Sequence, residues 1–377
     1  MRLSNRILKE LAASAGIYSI GVTSADPLYH LESRLKRRIL ENRITAFEES
    51  DPALRINPAH LLPGCKSIIT IVIPYYSPLQ TQVAFPGPRG SVAACARGLD
   101  YHRVVEGIAE KLTRLVEKES AGFGSFRILT DRSPLVEREL ARISGLGIIG
   151  ENCTLINPCF GSYVVLGTIL TDFEIEEDTP CDSNCLGCGG CRGVCPTGAL
   201  IEPYILDPFR CLSYLTQASG IFPRQFRHLL GNRIYGCDSC QEVCPHNADS
   251  AYTTYPELLF HFFPKEPMLL SLLRITNSEF NQTIAMTSAG WRGKTTIQRN
   301  AVIAIGNSKD IDAVKPLTQI LENDPRYLIR LHVAWSLGSI GGEKAKFALN
   351  KSLCNDPTPE VRVEARYALD HWNSSIK

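Results

Sequence analysis

Eight of the chain's 14 cysteines lie between Cys185 and Cys244, seven of them in two dense runs that limit what this region can fold around. The first run begins at Cys185 with the pattern C-x₂-C-x₂-C-x₃-C-P, and the second begins at Cys237 with C-x₂-C-x₃-C-P. Cys211 stands alone between them. Soft thiolates at such short spacing can surround a cuboidal iron–sulfur cluster, so the runs predict an electron-transfer module.

The spacing is that of bacterial ferredoxins, in which the fourth cysteine of a run binds the other cluster. We therefore predict two [4Fe–4S] clusters whose ligands are exchanged between the runs. The first is held by Cys185, Cys188, Cys191 and Cys244, and the second by Cys195, Cys211, Cys237 and Cys240. Cys159 and Cys181 lie outside the pattern and receive no ligand role.

Other cysteine chemistry explains the runs less well. Structural zinc sites also use C-x₂-C pairs, but four cysteines within eleven residues exceed what one tetrahedral ion needs. Disulfides are disfavoured because such crowded cysteines cannot pair usefully and nothing in the sequence marks a secreted protein.

Length and composition set wider limits. A chain of 377 residues is expected to hold two or three domains with ample core. Its 40 Lys and Arg against 39 Asp and Glu give no overall charge bias, so any nucleic-acid surface must be local. No stretch approaches the ~20 apolar residues that span a bilayer, and no signal-peptide core is recognisable. We expect a soluble, monomeric, cytoplasmic protein, since a reducing compartment suits thiolate-bound clusters.

Residues 1–175 alternate strand and helix patterns, which predicts an α/β domain. The β-branched run 67–73 predicts a buried strand, and further strands are expected at 126–129 and 163–170. Apolar residues at helical spacing over 104–116 predict a helix.

Two local signals mark helix starts in this domain. Asp100 precedes the helical pattern at the position of an N-cap. Ser133 followed by Pro134 predicts a second helix start shortly after the strand at 126–129.

Three segments follow the first domain. Residues 176–250 form the cysteine module, residues 251–290 a helical connector without a clear period, and residues 291–377 a repeat segment. The sequence at 298–306 recurs 32 residues later at 330–338 and again from residue 362. A period of this length with alanine-rich inner faces predicts HEAT-like helix pairs.

The repeat segment carries a local excess of positive charge. From residue 291 to the end there are 13 Lys and Arg against 9 Asp and Glu. Arg292, Lys294 and Arg299 cluster at its entry and are predicted to contact the phosphates of a nucleic acid, the alternative being an ordinary solvated helix face.

One motif is out of context. Gly145, Gly147 and Gly150 match G-x-G-x-x-G, but a dinucleotide site needs that turn between a strand and a helix. Here the glycines follow a helical pattern and precede an extended run. We therefore do not predict nicotinamide binding.

Several segments together resemble one family, the epoxyqueuosine reductases, cobalamin-dependent enzymes of the last step in making the tRNA nucleoside queuosine. The likeness runs from about residue 5 to the end and includes both cysteine runs and the repeats. The other matching segments are 57–67, 96–102, 131–141, 150–152 and 161–162.

The resemblance implies a fold and a reaction. It implies a corrinoid-binding, reductive-dehalogenase-like core of α/β or α+β class, a bacterial ferredoxin-like two-cluster module, and a C-terminal all-α HEAT-like segment. The expected activity is reduction of epoxyqueuosine to queuosine in a tRNA anticodon loop. The expected cofactors are cobalamin and the two [4Fe–4S] clusters, which an external low-potential donor would supply with electrons.

Asp131 is the predicted catalytic residue, mainly because of this resemblance. It follows the strand at 126–129, and a carboxylic acid there could give a proton to the oxygen of an opening epoxide. That role asks for a raised pKa, which burial beside an apolar cofactor would supply. The alternative is a turn residue that caps the next helix.

The resemblance also suggests corrinoid contacts. Besides Asp131, these are Asn57, Cys95, Asn152, Ser162 and Asp238. His102 is expected to pack within its helix rather than to ligate cobalt. Two other functions stay open: a small-molecule reductive dehalogenase, and a non-catalytic electron-transfer subunit that docks through its repeats.

Overall fold

A computed structural model describes residues 2–77, 86–122, 124–181 and 183–371. Within the described part, no helix is both long enough and apolar enough to cross a membrane.

The chain divides into two compact units, each assembled from segments distant in sequence. The first lies within residues 1–78, 99–211 and 239–260, and the second within 79–98, 212–238 and 261–377. The four segments predicted from the sequence, with boundaries at residues 175, 250 and 290, therefore describe the order of the chain and do not correspond to these two compact units.

The β-strands are short except for two of eight residues. They are β1 Arg2–Leu3, β2 Ile20–Ser24, β3 Ser67–Pro74, β4 Ser91–Val92, β5 Phe126–Leu129, β6 Ile148–Ile149, β7 Leu155–Ile156, β8 Val164–Thr171, β9 Glu174–Ile175, β10 Leu200–Glu202, β11 Ile205–Leu206 and β12 Arg233–Tyr235.

The α-helices are longest in the last part of the chain and at α4. They are α1 Asn5–Ala15, α2 Glu32–Leu40, α3 Pro52–Ile56, α4 Tyr101–Glu119, α5 Glu137–Ile143, α6 Gly190–Val194, α7 Leu212–Gln217, α8 Arg224–Arg227, α9 Ser239–Glu242, α10 Pro256–Leu259, α11 Leu269–Arg274, α12 Asn277–Gln282, α13 Gly293–Ser308, α14 Val314–Asn323, α15 Tyr327–Ile340, α16 Glu343–Asn355 and α17 Pro359–Asp370.

The first unit is built on a four-stranded sheet in the order β2-β3-β8-β5. All eight residues of β3 are buried, because helices cover both faces. On one face Ile71 and Gly167 meet Val105 of α4, and on the other Ile68 shares a core with Leu140 of α5. The β-branched composition of β3 fits a strand buried on both sides.

The strands predicted at 67–73, 126–129 and 163–170 are confirmed, whereas their relative direction was not foreseen. Every pairing in this sheet is antiparallel. The unit is therefore α+β, the second of the two expected classes, rather than an α/β unit with a parallel sheet. Consequently, the rule that parallel sheets present ligands at their carboxyl ends does not apply to Asp131.

Of the two predicted helix starts, one is confirmed and the other is wrong. Asp100 caps α4 as predicted, since its side chain accepts the backbone N–H of His102. Ser133 is not the cap of α5, and this prediction is wrong. Its hydroxyl accepts the N–H of Leu135 in a turn, and α5 begins only at Glu137.

Gly145 and Gly147 of the G-x-G-x-x-G match lie between α5 and β6, and Gly150 directly follows β6, so no helix begins at this turn. Gly147 has φ 154°, and an added Cβ would lie 2.3 Å from the carbonyl oxygen of Ile156. The motif therefore serves close packing of two backbones, which agrees with our rejection of a dinucleotide site.

The second unit is dominated by the predicted repeats. Helices α13, α15 and α17 pack in series, with α14 and α16 beside them. Gly306 and Gly338 occupy equivalent positions 32 residues apart, where neighbouring helices touch. A Cβ at Gly306 would lie 2.8 Å from Cα of Ser336, and one at Gly338 would lie 2.5 Å from Cβ of Ala368.

Polar side chains of the repeats hold the segment 212–238. Arg299 donates to the carbonyl oxygens of Leu215, Ala218 and Gly220 at 3.0, 2.6 and 2.8 Å. Asn300 donates to the carbonyl oxygen of Thr216 at 2.8 Å. These bonds satisfy backbone acceptors where α7 ends, which would otherwise be buried without partners.

A buried ion pair ties the same segment to the last helix. Glu364 of α17 accepts from Arg227 at 2.9 Å, and the two side chains are 3% and 1% exposed. Arg224 binds the other carboxylate oxygen at 2.8 Å. Because the carboxylate has two partners, its charge is compensated despite burial.

Candidate active site and cluster sites

Asp131 lies in the loop after β5, with its side chain 62% exposed. The hydroxyl of Tyr101 donates to its Oδ2 at 2.7 Å, and Nε2 of His102 lies 3.8 Å from the same oxygen. The backbone N–H of Asp131 donates to Oε1 of Glu137 at 3.2 Å. Asp131 is thus held at its backbone by Glu137 and at its carboxylate by Tyr101, while the side chain remains open to solvent.

The first turn of α4 supplies two of these neighbours. Asp100 caps the helix, and its Oδ1 also lies 2.7 Å from Nδ1 of His102. Tyr101 and His102 stack with ring centroids 4.1 Å apart. One cap residue therefore fixes the helix start and orients the imidazole toward Asp131.

Asp131 does not have the raised pKa that we expected of a general acid. Partial desolvation by neighbouring groups raises its pKa, but the positive charge of the nearby His102 and the hydrogen bond from Tyr101 outweigh that effect, leaving the pKa below its ordinary value. The exposed carboxylate is therefore ionised at neutral pH in the protein by itself.

Two neighbours of Asp131 shift in the opposite direction. Burial lowers the pKa of His102, but the carboxylates of Asp100 and Asp131 raise it to about 9. Burial and the negative charge of Asp131 raise the pKa of Glu137 to about 8. At neutral pH both groups hold a proton beside the Asp131 carboxylate.

The four cysteines predicted to bind the first cluster line one small cavity. They are Cys185, Cys188, Cys191 and Cys244, so the last cysteine of the second run joins the first three of the first run. Asn152 and His246 line the same cavity. Within the described residues, no three His, Cys, Asp or Glu side chains are grouped around a point suited to a single metal ion.

Two buried nitrogens at this cavity test whether a cluster fits. Nδ2 of Asn152 and Nε2 of His246 have no hydrogen-bond partner in the described part of the chain. Oδ1 of Asn152 accepts from Thr154 at 2.8 Å, which leaves Nδ2 as the free donor. Unpaired buried donors are costly, and cluster sulfurs are acceptors for them. The four thiols and these donors fit one [4Fe–4S] cluster.

The cysteines of the predicted second cluster are divided between the two units. Cys195, Cys211 and Cys240 belong to the first unit, and Cys237 belongs to the second. Sγ of Cys195 accepts the backbone N–H of Ala199 at 3.2 Å. Burial raises the pKa of Cys195, but the backbone N–H groups of Leu200, Ala199 and Thr197 together have a larger, opposite effect and leave the pKa below its ordinary value. This favours the thiolate that binds iron.

The suggested corrinoid contacts in the first unit are engaged in local bonds. Asn57 accepts the N–H of Ala59 at 3.0 Å, which is a turn role. Ser162 is buried, and its hydroxyl donates to Gln241 at 2.9 Å. Asn152 lies at the cavity of the first cluster.

In the second unit, Asp238 and Cys95 also have internal partners. Oδ2 of Asp238 accepts the N–H of Ala94 at 2.7 Å. The carbonyl oxygen of Cys95 accepts the hydroxyl of Ser288 at 3.1 Å.

The predicted RNA contact at Arg299 requires a correction. Its side chain is 1% exposed and binds the carbonyl oxygens that end α7, so it is a structural residue. Arg292 and Lys294 are partly exposed. Arg292 donates to the carbonyl oxygen of Gln217 at 2.6 Å, and Lys294 donates to Asn277 at 2.6 Å.

Sequence reasoning missed Tyr101, His102 and Glu137 as site residues. His102 was expected only to pack within α4. The usable signal was the proximity of Tyr101 and His102 to a capping aspartate, which directs first-turn side chains to one end of the helix. Glu137 gave no signal, because its role depends on how the loop after β5 turns.

Three family models match the chain. The model of a 4Fe-4S double cluster binding domain matches residues 184–247, that of the epoxyqueuosine reductase QueG (DUF1730) matches 55–132, and that of HEAT repeats matches 292–370. The predicted two-cluster module and helical repeats are thereby confirmed.

Curated relatives match over nearly the whole chain. The epoxyqueuosine reductase of Bacillus cereus is 37% identical over 94% of this chain and 94% of its own length. That of Bacillus subtilis is 36% identical over 98% of this chain and 96% of its own.

Solved structures agree with the sequence relatives. An epoxyqueuosine reductase crystallised with an epoxyqueuosine-modified tRNA-Tyr stem loop has a TM-score of 0.91 and 35% identity, covering 98% of both chains. The Bacillus subtilis enzyme, with its catalytic aspartate loop swung out of the active site, has a TM-score of 0.90 and 36% identity, covering 97% of this chain and 98% of that one. From its cysteine runs to its repeats, this chain belongs to the epoxyqueuosine reductase family.

Proposed function

We propose that this chain reduces epoxyqueuosine to queuosine in a tRNA anticodon loop, with Asp131 delivering a proton to the epoxide oxygen. The observation that carries this assignment is the exposed Asp131 carboxylate with two protonated groups, His102 and Glu137, beside it. An unpaired loop can present its modified base to such a site, because the base is not held in a duplex.

The reaction needs protons that these residues can supply. Two electrons and two protons convert the epoxide to a carbon–carbon double bond and one water. His102 Nε2 can pass its proton to Oδ2 of Asp131, 3.8 Å away, once a bound substrate brings the two together. Asp131 then hands the proton to the oxygen that leaves carbon, and substrate burial favours its protonated form.

The groups around Asp131 transfer protons but cannot deliver electrons. The reaction therefore needs a redox group next to the substrate, in addition to the carboxylates, imidazole and phenol around Asp131. We propose that a corrinoid is this redox group. When bound, cobalamin supplies low-valent cobalt that gives electrons to the carbon–oxygen bond. Asn57, Cys95, Ser162 and Asp238 remain proposed contacts, in addition to Asp131 and Asn152.

A related enzyme supports the role of the Asp131 loop. The Bacillus subtilis relative has a catalytic aspartate on a loop that can leave its active site. We infer that the loop after β5 is the counterpart, since Asp131 is exposed and has φ 50°.

The cluster assignments complete the proposed electron path. Cys185, Cys188, Cys191 and Cys244 hold the first [4Fe–4S] cluster, and Cys195, Cys211, Cys237 and Cys240 the second. Both would pass electrons singly from an external low-potential donor, in a monomer working in the cytoplasm. Arg292 and Lys294 remain proposed tRNA contacts.

Anaerobic incubation with cobalamin, a low-potential reductant and epoxyqueuosine-bearing tRNA, followed by nucleoside analysis, tests the function. We expect queuosine from the parent and a rate lower by ~10²–10⁴-fold from Asp131→Asn, which keeps the shape but loses the acid. Omission of cobalamin should abolish the product.

Failure to form queuosine with fully loaded clusters would overturn the proposal. Binding of tRNA without turnover would then favour the electron-transfer subunit. Reduction of a halogenated small molecule without tRNA turnover would favour the dehalogenase alternative. An Asp131→Asn rate equal to that of the parent would remove Asp131 from the mechanism.

A further inference from the structure

The first unit contains a cavity of about 520 Å³ with an unusual concentration of arginine. It is lined by residues of α2, the start of α5, and the β10–β11 hairpin. Six arginines contribute to its wall: Arg34, Arg37, Arg38, Arg43, Arg55 and Arg138. None of them belongs to the predicted cluster, corrinoid or RNA contacts.

Acidic side chains neutralise only part of this charge. Glu48 binds both Arg38 and Arg55, at 2.8 and 2.9 Å. Glu41 in turn binds both Arg37 and Arg43. Four arginines thus share two carboxylates, which leaves an excess of two positive charges among them.

The other two arginines bind backbone carbonyl oxygens. Arg34 donates to the carbonyl oxygen of Tyr204 at 2.6 Å, and Arg138 donates to that of Cys153. Glu139 also lines the cavity, but Arg142 and His30 already bind it, at 2.6 and 2.7 Å. Both Arg34 and Arg138 are exposed and keep further donors for a ligand.

A buried donor provides a second, independent indication. Nε of Arg55 is buried and has no hydrogen-bond partner within the described residues. Burial and the charges of Arg38 and Arg138 lower the pKa of Arg55, although Glu48 opposes them. An anion in the cavity would relieve this repulsion and give the unpaired N–H an acceptor.

The cavity lies next to the proposed catalytic loop along the chain. Arg138 directly follows Glu137, whose carboxylate holds the backbone N–H of Asp131 at 3.2 Å. The residue that would bind the ligand, Arg138, is therefore the chain neighbour of the residue that fixes the backbone of Asp131. The positive charge of Arg138 also lowers the pKa of Asp131, so this edge of the cavity lies within electrostatic range of the proposed acid.

We propose that this arginine cavity binds backbone phosphates of the RNA strand that carries the substrate base. The guanidinium fork matches phosphate oxygens in geometry and keeps its charge at any physiological pH. The inference rests on the proposed function, because it takes the RNA as the source of the phosphates. A free nucleotide or inorganic phosphate shares this chemistry and is the alternative occupant.

The test uses the charge-removing double variant Arg34→Gln/Arg37→Gln, whose residues are both exposed on α2. The control is Lys36→Gln/Arg114→Gln, which removes two exposed cations paired with Glu32 and Glu110 outside the cavity. Binding of the anticodon stem-loop RNA is titrated at several salt concentrations. Each lost phosphate contact to a single strand should lower the slope of log K against log salt by ~0.7.

We expect a weaker, less salt-dependent complex for the cavity variant and parental slopes for the control. Arg34→Gln alone should give a smaller change in the same direction, which guards against misfolding of the double variant. Iron content and the circular dichroism spectrum confirm folding. Equal slopes for parent, cavity variant and control would overturn the proposal.

Two further measurements are made. The first distinguishes RNA from small anions as the source of the phosphate, and the second distinguishes an error in the cavity proposal from an error in the proposed function. Inorganic phosphate and uridine monophosphate are titrated into parent and cavity variant without RNA. Binding of these ions that needs Arg34 and Arg37, with unchanged RNA slopes, would mean a small-anion site and overturn the RNA assignment. Queuosine formation by the parent is assayed in parallel. If the parent forms queuosine but the slopes are equal, the cavity proposal is wrong while the proposed function stands.

Discussion

Asp131 has a backbone conformation that its surroundings must impose. Its φ of 50° lies in the left-handed region, which is unfavourable for most residues other than glycine. Glu137 fixes its N–H and Tyr101 its carboxylate. Such locally strained residues persist only when neighbours hold them, and one of these neighbours, Glu137, is also a proton-bearing group.

His102→Gln should remove a pH dependence of the reaction. With a pKa raised from 6.5 to about 9, His102 stays protonated until the pH rises through about 9. Single-turnover rates of the parent should fall as the pH rises through about 9, and those of His102→Gln should be low and should lack the transition near pH 9. A parental rate that stays constant through pH 9 would contradict a proton held on His102.

The same shift affects stability with a defined sign. Because the folded pKa is raised, the stabilisation from protonated His102 is complete below 6.5 and is lost as pH rises through about 9. In urea unfolding, the advantage of the parent over His102→Gln should shrink across that window.

Asn152→Leu should change the reduction potential of one cluster only. The unpaired Nδ2 lies at the cavity of Cys185, Cys188, Cys191 and Cys244, where it can donate to a cluster sulfur. Such bonds stabilise the more negative, reduced state, so their loss should lower the potential. Redox titration followed by electron paramagnetic resonance measures both clusters, and the other cluster is an internal control. Two unchanged potentials would show that Asn152 does not donate to a cluster.

The two-cluster module could be predicted from sequence, whereas much of the proposed proton-transfer site could not. Ligand spacing is a local property, and residues such as Cys185 and Cys188 are constrained by a short loop alone. Asp131 was found through family likeness. Glu137 and His102 become its partners only through the turn after β5 and the position of α4. Their pKa values depend on burial, which no spacing reveals.

At the scale of elements, the repeats and the sheet show what periodicity can and cannot establish. The 32-residue period predicted the helices, because each repeat makes the same contact with the next. The alternation of strands and helices before residue 175 did not reveal that the sheet is antiparallel, since strand direction depends on long connections. The start of α5 was misplaced because Ser133 forms a turn instead.

Gly338→Val should destabilise the repeats. A Cβ at this position would lie 2.5 Å from Cβ of Ala368, so α15 and α17 would have to separate. Overpacking of this kind costs ~1–3 kcal/mol. Gly107→Ala in α4 is the control, because no atom lies within 4 Å of the added Cβ. It should stabilise the helix by ~0.5–1 kcal/mol. Urea denaturation compares the two, and a neutral Gly338→Val would mean that the helices adjust freely.

At the scale of the whole molecule, the chain combines a two-cluster module, a proposed proton-transfer site and a helical tail. Asp131 and most cluster cysteines belong to the first unit, while Cys237 belongs to the second. The sequence divides these functions into successive segments, but the fold assembles each unit from distant pieces. The two compact units therefore could not be predicted from the sequence boundaries at residues 175, 250 and 290.

Anaerobic reconstitution should give about eight iron and eight sulfide per chain, as two [4Fe–4S] clusters require. Cys195→Ser should damage the cluster proposed for Cys211, Cys237 and Cys240 and spare the one at Cys185. Chemical iron analysis and paramagnetic resonance distinguish the two clusters. Four iron in the parent, or tightly bound zinc instead, would contradict the assignment.

The side chains of α13 that bind the carbonyl oxygens at the end of α7 bear on how such a chain can evolve. Arg299 and Asn300 satisfy acceptors at residues 215–220, upstream of Cys237 in the same unit. A stop codon before residue 291 would strip these partners away and leave the stretch that leads to Cys237 without its support. Such a shortened protein should lose iron as well as affinity for RNA. We therefore expect the helical tail and the cysteine runs to be inherited together, since exchange of the tail alone would remove this support.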